Sequence, residues 1–154
     1  MISLDEADPS VRLRWAVKLM NGDGIVRNPS AAYSMTSAAA AKSDLQAMFL
    51  LGKWGTEGKL QKVPTILWAN YLRSAADRGH VKAQELLGRW YTSEQPTVIQ
   101  IYRAYVYLRL AKMSGATEVD QLLDNLSRII GPLHQSFAEE DAEKLFESIK
   151  EKAE

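Results

Sequence analysis

The sequence predicts an all-α protein, a solenoid of antiparallel helix pairs, and three observations predict it. The first is a period. Ala47, Leu51, Gly52 and Trp54 recur as Ala83, Leu87, Gly88 and Trp90, a step of 36 residues (47 to 83) each time. The same step joins Ala39, Ala75 and Ala111, then Ala32, Trp68 and Ala104, then Met35, Tyr71 and Tyr107. A fixed period of this length marks stacked supersecondary units. The second observation is composition: alternating β-branched runs are scarce, while Ala, Leu, Lys, Glu and Gln are common, which favours helix. The third is punctuation, because cap residues and glycines return at matching places.

Taken in order, Asp8 caps a first helix with Pro9 at its first position, and Asn21-Gly22 stops it after about Met20. Asn28 with Pro29 repeats that chemistry and starts a helix running to about Lys42. Asp44 caps the next, which ends near Gly55. A fourth helix begins at Pro64 or Thr65 and ends before Gly79, where a glycine can take the left-handed closing conformation. Ser43 and Gly115 occupy the matching closures on either side. The next helix spans about Val81 to Thr92, and the loop Ser93-Glu94-Gln95-Pro96 precedes its partner. Val119, Leu123 and Leu126 fall 36 residues after Ala83, Leu87 and Trp90, which predicts a further helix from about Thr117 to Ile130, ended by Gly131-Pro132. Ser136 with Glu139 reads as a capping box for a last helix to about Lys152. Ala16, Gly52 and Gly88 share one repeat position, where small side chains let helix backbones approach. The expected organisation is one helical-repeat domain over 1–154, with repeats at about 8–43, 44–79 and 80–115 and a cap over 116–154.

Bulk properties narrow the function. Lys+Arg and Asp+Glu are 19 each in 154 residues, so the formal net charge is zero and no basic excess points to nucleic acid. Cysteine is absent, which excludes disulfides and thiolate metal sites. The segment Met1-Ile2-Ser3-Leu4-Asp5-Glu6 has no basic region followed by an apolar one, and no apolar run is long enough to span a bilayer. The expectation is a cytoplasmic protein with no membrane association, although a trimmed signal peptide would leave the same sequence.

Leu87-Gly88-Arg89-Trp90-Tyr91, Gly22-Asp23-Gly24-Ile25 and Ala75-Ala76-Asp77-Arg78-Gly79-His80 resemble the Sel-one-like repeat, a relative of the tetratricopeptide repeat. The resemblance covers about residues 10 to 150. It implies a right-handed α-solenoid, and members that act as adaptors and scaffolds, with the small single-domain ones mostly bacterial. The chain departs from the pattern at Gly58-Lys59-Leu60 and Glu94-Gln95-Pro96, where the Gly-x-Gly loop is lost, and at Leu19 and Gly55, where an aromatic is usual.

Catalytic chemistry finds little support. His80 sits in a helix-to-helix turn, where the resembled repeat also has histidine, and His134 has no acidic or serine partner at motif spacing. Gly22-Asp23-Gly24 lacks both the Lys-Ser/Thr of a P-loop and the spaced acids of an EF-hand. Glu139-Glu140-Asp141 is explained by acids favouring the first turn of a helix. Trp54, Trp68, Trp90 and Tyr71 recur at repeat positions and read as core. No enzyme activity, metal or cofactor is expected.

The resemblance places the first helix of each pair on a concave face. A stripe along those helices runs through Ser10, Leu13, Val17 and Met20, then Gln46, Phe49, Lys53 and Thr56, then Lys82, Glu85, Arg89 and Thr92, and finally Gln121, Asn125 and Arg128. Leu13, Val17, Met20, Phe49, Lys53, Lys82, Glu85, Arg89 and Arg128 are the expected partner-binding residues. The apolar half needs a cover. A partner protein is one; the segment Ile2-Ser3-Leu4 folded back, or a homodimer through the stripe, are the others. The expected function is protein–protein interaction, as an adaptor or a stoichiometric inhibitor such as an immunity protein that neutralises a toxin. The alternatives are a structural subunit of a secretion, envelope or signalling assembly, and, more remotely, an unrecognised enzyme.

Overall fold

The computed structural model describes residues 8–153. Among them it holds seven helices and no strand: α1 (Pro9–Asn21), α2 (Pro29–Ala41), α3 (Leu45–Thr56), α4 (Thr65–Asp77), α5 (Val81–Tyr91), α6 (Val98–Met113) and α7 (Asp120–Ala153). The all-α expectation holds. The chain divides into two compact units, residues 1–71 and 72–154, with the division inside α4.

The 36-residue step is visible in the backbone. Ser43, Gly79 and Gly115 have φ of 69°, 101° and 111°, the left-handed region. After each, two bonds return to the helix just ended. Asp44 N–H donates to Ala39 O (3.2 Å) and Ser43 N–H to Ala40 O (2.9 Å); His80 N–H donates to Ala75 O (3.0 Å) and Gly79 N–H to Ala76 O (3.2 Å); Ala116 N–H donates to Ala111 O (2.9 Å) and Gly115 N–H to Lys112 O (3.1 Å). Each pair satisfies carbonyls that a helix end would otherwise leave open. Ser43 manages this without glycine, and is the single non-glycine residue of positive φ among those described.

Asp44 and His80 have a second duty. The Asp44 carboxylate accepts the Ala47 N–H (2.9 Å), and His80 Nδ1 accepts the Ala83 N–H (3.1 Å), so each caps the next helix. Ala116 stands at the corresponding third position and has no acceptor to offer. There the next helix starts at Asp120 rather than at Thr117 as expected.

In the first unit α1 packs on α2 and α2 on α3. Asp8 opens α1 by accepting the Ser10 N–H (2.8 Å) and Asn28 opens α2 by accepting the Ala31 N–H (3.1 Å). Gly22 closes α1 with φ 77°, and Arg27 Nε ties the following loop back to Met20 O (2.9 Å). Leu13, Ala16, Met20, Ala32, Ala47, Leu51, Trp54 and Trp68 form the buried interior. The missing aromatic at Gly55 has a steric reason, since a Cβ there would collide with the indole of Trp68. The indole occupies the space an aromatic at 55 would fill.

In the second unit α6 lies between α5 and α7, packing on both. Gly88 is the close approach: a Cβ on it would stand 2.5 Å from Leu108 Cγ and 3.3 Å from Ala104 O. Val119, Leu123 and Leu126 are buried, in register with Ala83, Leu87 and the half-buried Trp90. The cap of the last helix differs from expectation. Gly131 alone leaves helical geometry (φ 81°, ψ 166°), and Pro132 then starts the next turn at once. Proline is well placed at a first helical position. Ser136 therefore lies inside the helix and forms no capping box, and Glu139-Glu140-Asp141 are not in its first turn.

Candidate functional site

The first unit carries a groove between α1 and α3. Ser10, Leu13, Arg14 and Val17 line one wall and Asp44, Gln46 and Leu50 the other, around about 290 Å³. Helical spacing puts 10, 13, 14 and 17 on one side of α1. The floor is apolar, from Leu13 and Leu50 with half-buried Val17 above them. The rim is polar, but both nearby carboxylates are occupied. Asp44 caps α3, and Asp8 accepts the Ser10 hydroxyl (2.7 Å), the largest of the effects that hold its carboxyl below the usual range. Arg14 is exposed on the rim. An apolar side chain with a polar flank is what such a recess accommodates.

Of the expected stripe, the groove brings together Ser10, Leu13, Val17 and Gln46. One expectation is corrected. Met20 is 1% exposed and does not stand on a water-facing stripe, and Leu13, 5% exposed, reaches the surface only as groove floor. Their apolar character is explained by packing against neighbouring helices, with Leu13 also forming groove floor. Phe49 is half-buried and Lys53 exposed, and neither lines the groove. The segment Ile2-Ser3-Leu4, expected as an alternative cover, lies outside the described residues. Arg14, Asp44 and Leu50 are the lining residues that the stripe omitted, though the place of Arg14 at i+1 and i−3 of Leu13 and Val17 was readable.

In the second unit Lys82 and Arg128 are exposed and Glu85 half-buried. Arg89 is already engaged. Its Nη2 donates to Glu85 Oε1 (3.0 Å) and to the backbone O of Glu118 (3.1 Å), clipping α5 to the segment before α7. These bonds hold the guanidinium in a fixed orientation at the surface, where the side chain is 46% exposed.

The histidines and acids have local explanations. Burial, then Lys82, lowers the His80 pKa, which favours the neutral ring whose Nδ1 accepts from Ala83. His134 is exposed and meets Phe137 edge-on. The acids on α7 bind tyrosines of α6: Tyr105 donates to Glu139 (2.9 Å) and Tyr102 to Asp141 (2.6 Å). Burial first, then those carboxylates, push both tyrosines up to about 12. Tyr107 donates to Asp77 (2.7 Å) and is raised further for the same reasons. All three phenols stay protonated donors at neutral pH. Among the described residues no three His, Asp or Glu side chains gather as a metal site would require, and no helix is long and apolar enough to cross a membrane. No protein-family model matches the chain, and no curated protein matches it either.

Proposed function

We propose that this chain is a right-handed α-solenoid of the Sel-one-like kind and that it binds a partner protein, as a cytoplasmic adaptor or a stoichiometric inhibitor of the immunity-protein type. The observation that carries the reading is the α1–α3 groove. It joins an apolar floor to a polar rim whose one carboxylate, Asp44, already serves as a helix cap. A recessed apolar floor ringed by polar groups is how protein interfaces are built. The periodic closures at 43, 79 and 115 support a repeat architecture, and such solenoids expose extended surfaces for partners.

The test is affinity capture from the native host with two baits. One is the intact chain; the other carries Val17→Asp, which puts a charge on the groove wall without touching the buried residues. A protein held by the first bait and lost from the second, with both baits equally helical, supports the reading. Identical captures from the two would refute the groove as the binding surface.

A further inference from the structure

A second hollow lies on α1, on the other side of Arg14 from the groove. Val11, Arg14, Trp15 and Lys18 line about 330 Å³ there. These residues follow i, i+3, i+4, i+7 spacing and so form one stripe. Trp15 is 39% exposed, whereas Trp54 and Trp68 are buried and Trp90 half-buried. Lys18 Nζ stands 5.2 Å from the Trp15 ring centroid, a distance at which the ring face holds a cation. Helix α1 carries Arg12, Arg14 and Lys18 and no acidic residue. The carboxylate at its start, Asp8, already accepts both Ser10 bonds.

We propose that this face of α1 binds an acidic segment of a partner protein that bears one large apolar side chain. This deepens the protein-binding reading and rests on it. The apolar side chain would sit against Trp15 and Val11, and carboxylates on either side of it would meet Arg14 and Lys18. Trp and Arg are the side chains that most often anchor interfaces. The charges select an acidic partner, because two cations with no acid between them repel a basic one. Nucleic acid fits less well, since a phosphate track calls for many cations and the chain has a net charge of zero. A lipid surface fits less well too. A helix lying on a membrane turns its apolar face to the lipid, and α1 buries its own, at Leu13, Ala16 and Met20, inside the protein.

The probe is a fluorescein-labelled peptide of alternating Glu and Gly around a central Phe. Two controls replace Glu by Lys, or Phe by Ala. Fluorescence anisotropy against the intact chain should show binding of the acidic Phe peptide that weakens with salt, and little binding of either control. Arg14→Glu with Lys18→Glu should weaken it about tenfold or more, as the loss and reversal of two exposed charge pairs implies. Arg14→Gln with Lys18→Gln is the milder pair should the first not fold, and Trp15→Ala should weaken binding independently. No binding of the acidic peptide, equal binding of the basic one, or indifference to these substitutions would overturn the proposal. So would binding to phosphatidylserine vesicles in place of the peptide, which would assign the face to lipid. Capture of a Val17-dependent partner without peptide binding would refute this inference alone. Peptide binding without such a partner would refute the groove reading alone.

Discussion

Replacing Gly88 by alanine sets two known effects against each other. The new Cβ would lie 2.5 Å from Leu108 Cγ and 2.8 Å from Leu108 Cδ2, and 3.3 Å from Ala104 O. Carbon atoms rest at about 3.5–4.0 Å, so α5 and α6 must part by roughly 1 Å at this point. Leu108 has no exposed surface through which to swing aside. Overpacking of this kind costs about 1–3 kcal/mol. Against it stands the helix propensity of Ala over Gly, worth about 1 kcal/mol. The expected net is a loss of up to about 2 kcal/mol for Gly88→Ala, and more for Gly88→Leu. Leu108→Ala alone should cost about 2–5 kcal/mol through its cavity. In that background the clash is gone and the propensity gain remains, so Gly88→Ala should become stabilising by about 1 kcal/mol. Urea unfolding followed by far-ultraviolet circular dichroism on the four chains measures the cycle. Additivity within about 0.5 kcal/mol would show that Gly88 and Leu108 do not press on each other and would refute the packing argument.

Three further outcomes follow from local geometry. His80→Ala should cost about 1 kcal/mol by removing the cap of α5, while His80→Asn should keep most of it. Because the folded pKa of His80 is lowered, its contribution is complete above the ordinary 6.5 and is lost as pH falls below that through the folded value. His80→Asn should flatten that acid-side decline in a stability–pH profile, and an unchanged profile would show that His80 does not cause it. Gly131→Ala should destabilise by about 1–3 kcal/mol in thermal melts, since φ 81° with ψ 166° is a region essentially limited to glycine. No atom lies within 4 Å of the added Cβ, so a neutral result would mean that the break relaxes into ordinary helix. Tyr107→Phe should cost about 0.5–1.5 kcal/mol by denying Asp77 its donor. If it does, Asp77→Ala in the Phe background should add little.

What the sequence disclosed was what is decided within a few residues. Asp8-Pro9, Asn28-Pro29 and Asp44 mark their helices correctly because a cap needs only its own next turn. The left-handed Ser43 was legible only by analogy with Gly79 and Gly115, since nothing about serine itself demands it. Ser136 misled because its capping pattern is real but Pro132 had already begun the helix. The roles of Glu139 and Asp141 were hidden, for their tyrosine partners lie 34 and 39 residues earlier on another helix. The stripe on α1 was half legible. Periodicity finds one face of a helix, but it does not say which apolar residues neighbouring helices cover, and Leu13 and Met20 proved to be covered. Trp15 and Arg14 were passed over although they stand 36 residues before Leu51 and Leu50, whose own burial gives no hint that the α1 residues are exposed.

The shared closures at 43, 79 and 115 bear on how the chain is made. Each is completed by bonds that reach back no more than five residues, so each forms from sequence that has just left the ribosome. Translation at roughly 5–20 residues per second delivers such a reversal every few seconds. By the time Gly115 emerges, the helices before Ser43 have had many times the microseconds that a helix needs to form. Synthesis can then proceed as a sequence of finished bends, each closed before the next helix has emerged. Asp44 and His80 time this most tightly, because the residue that ends one helix is the residue that begins the next.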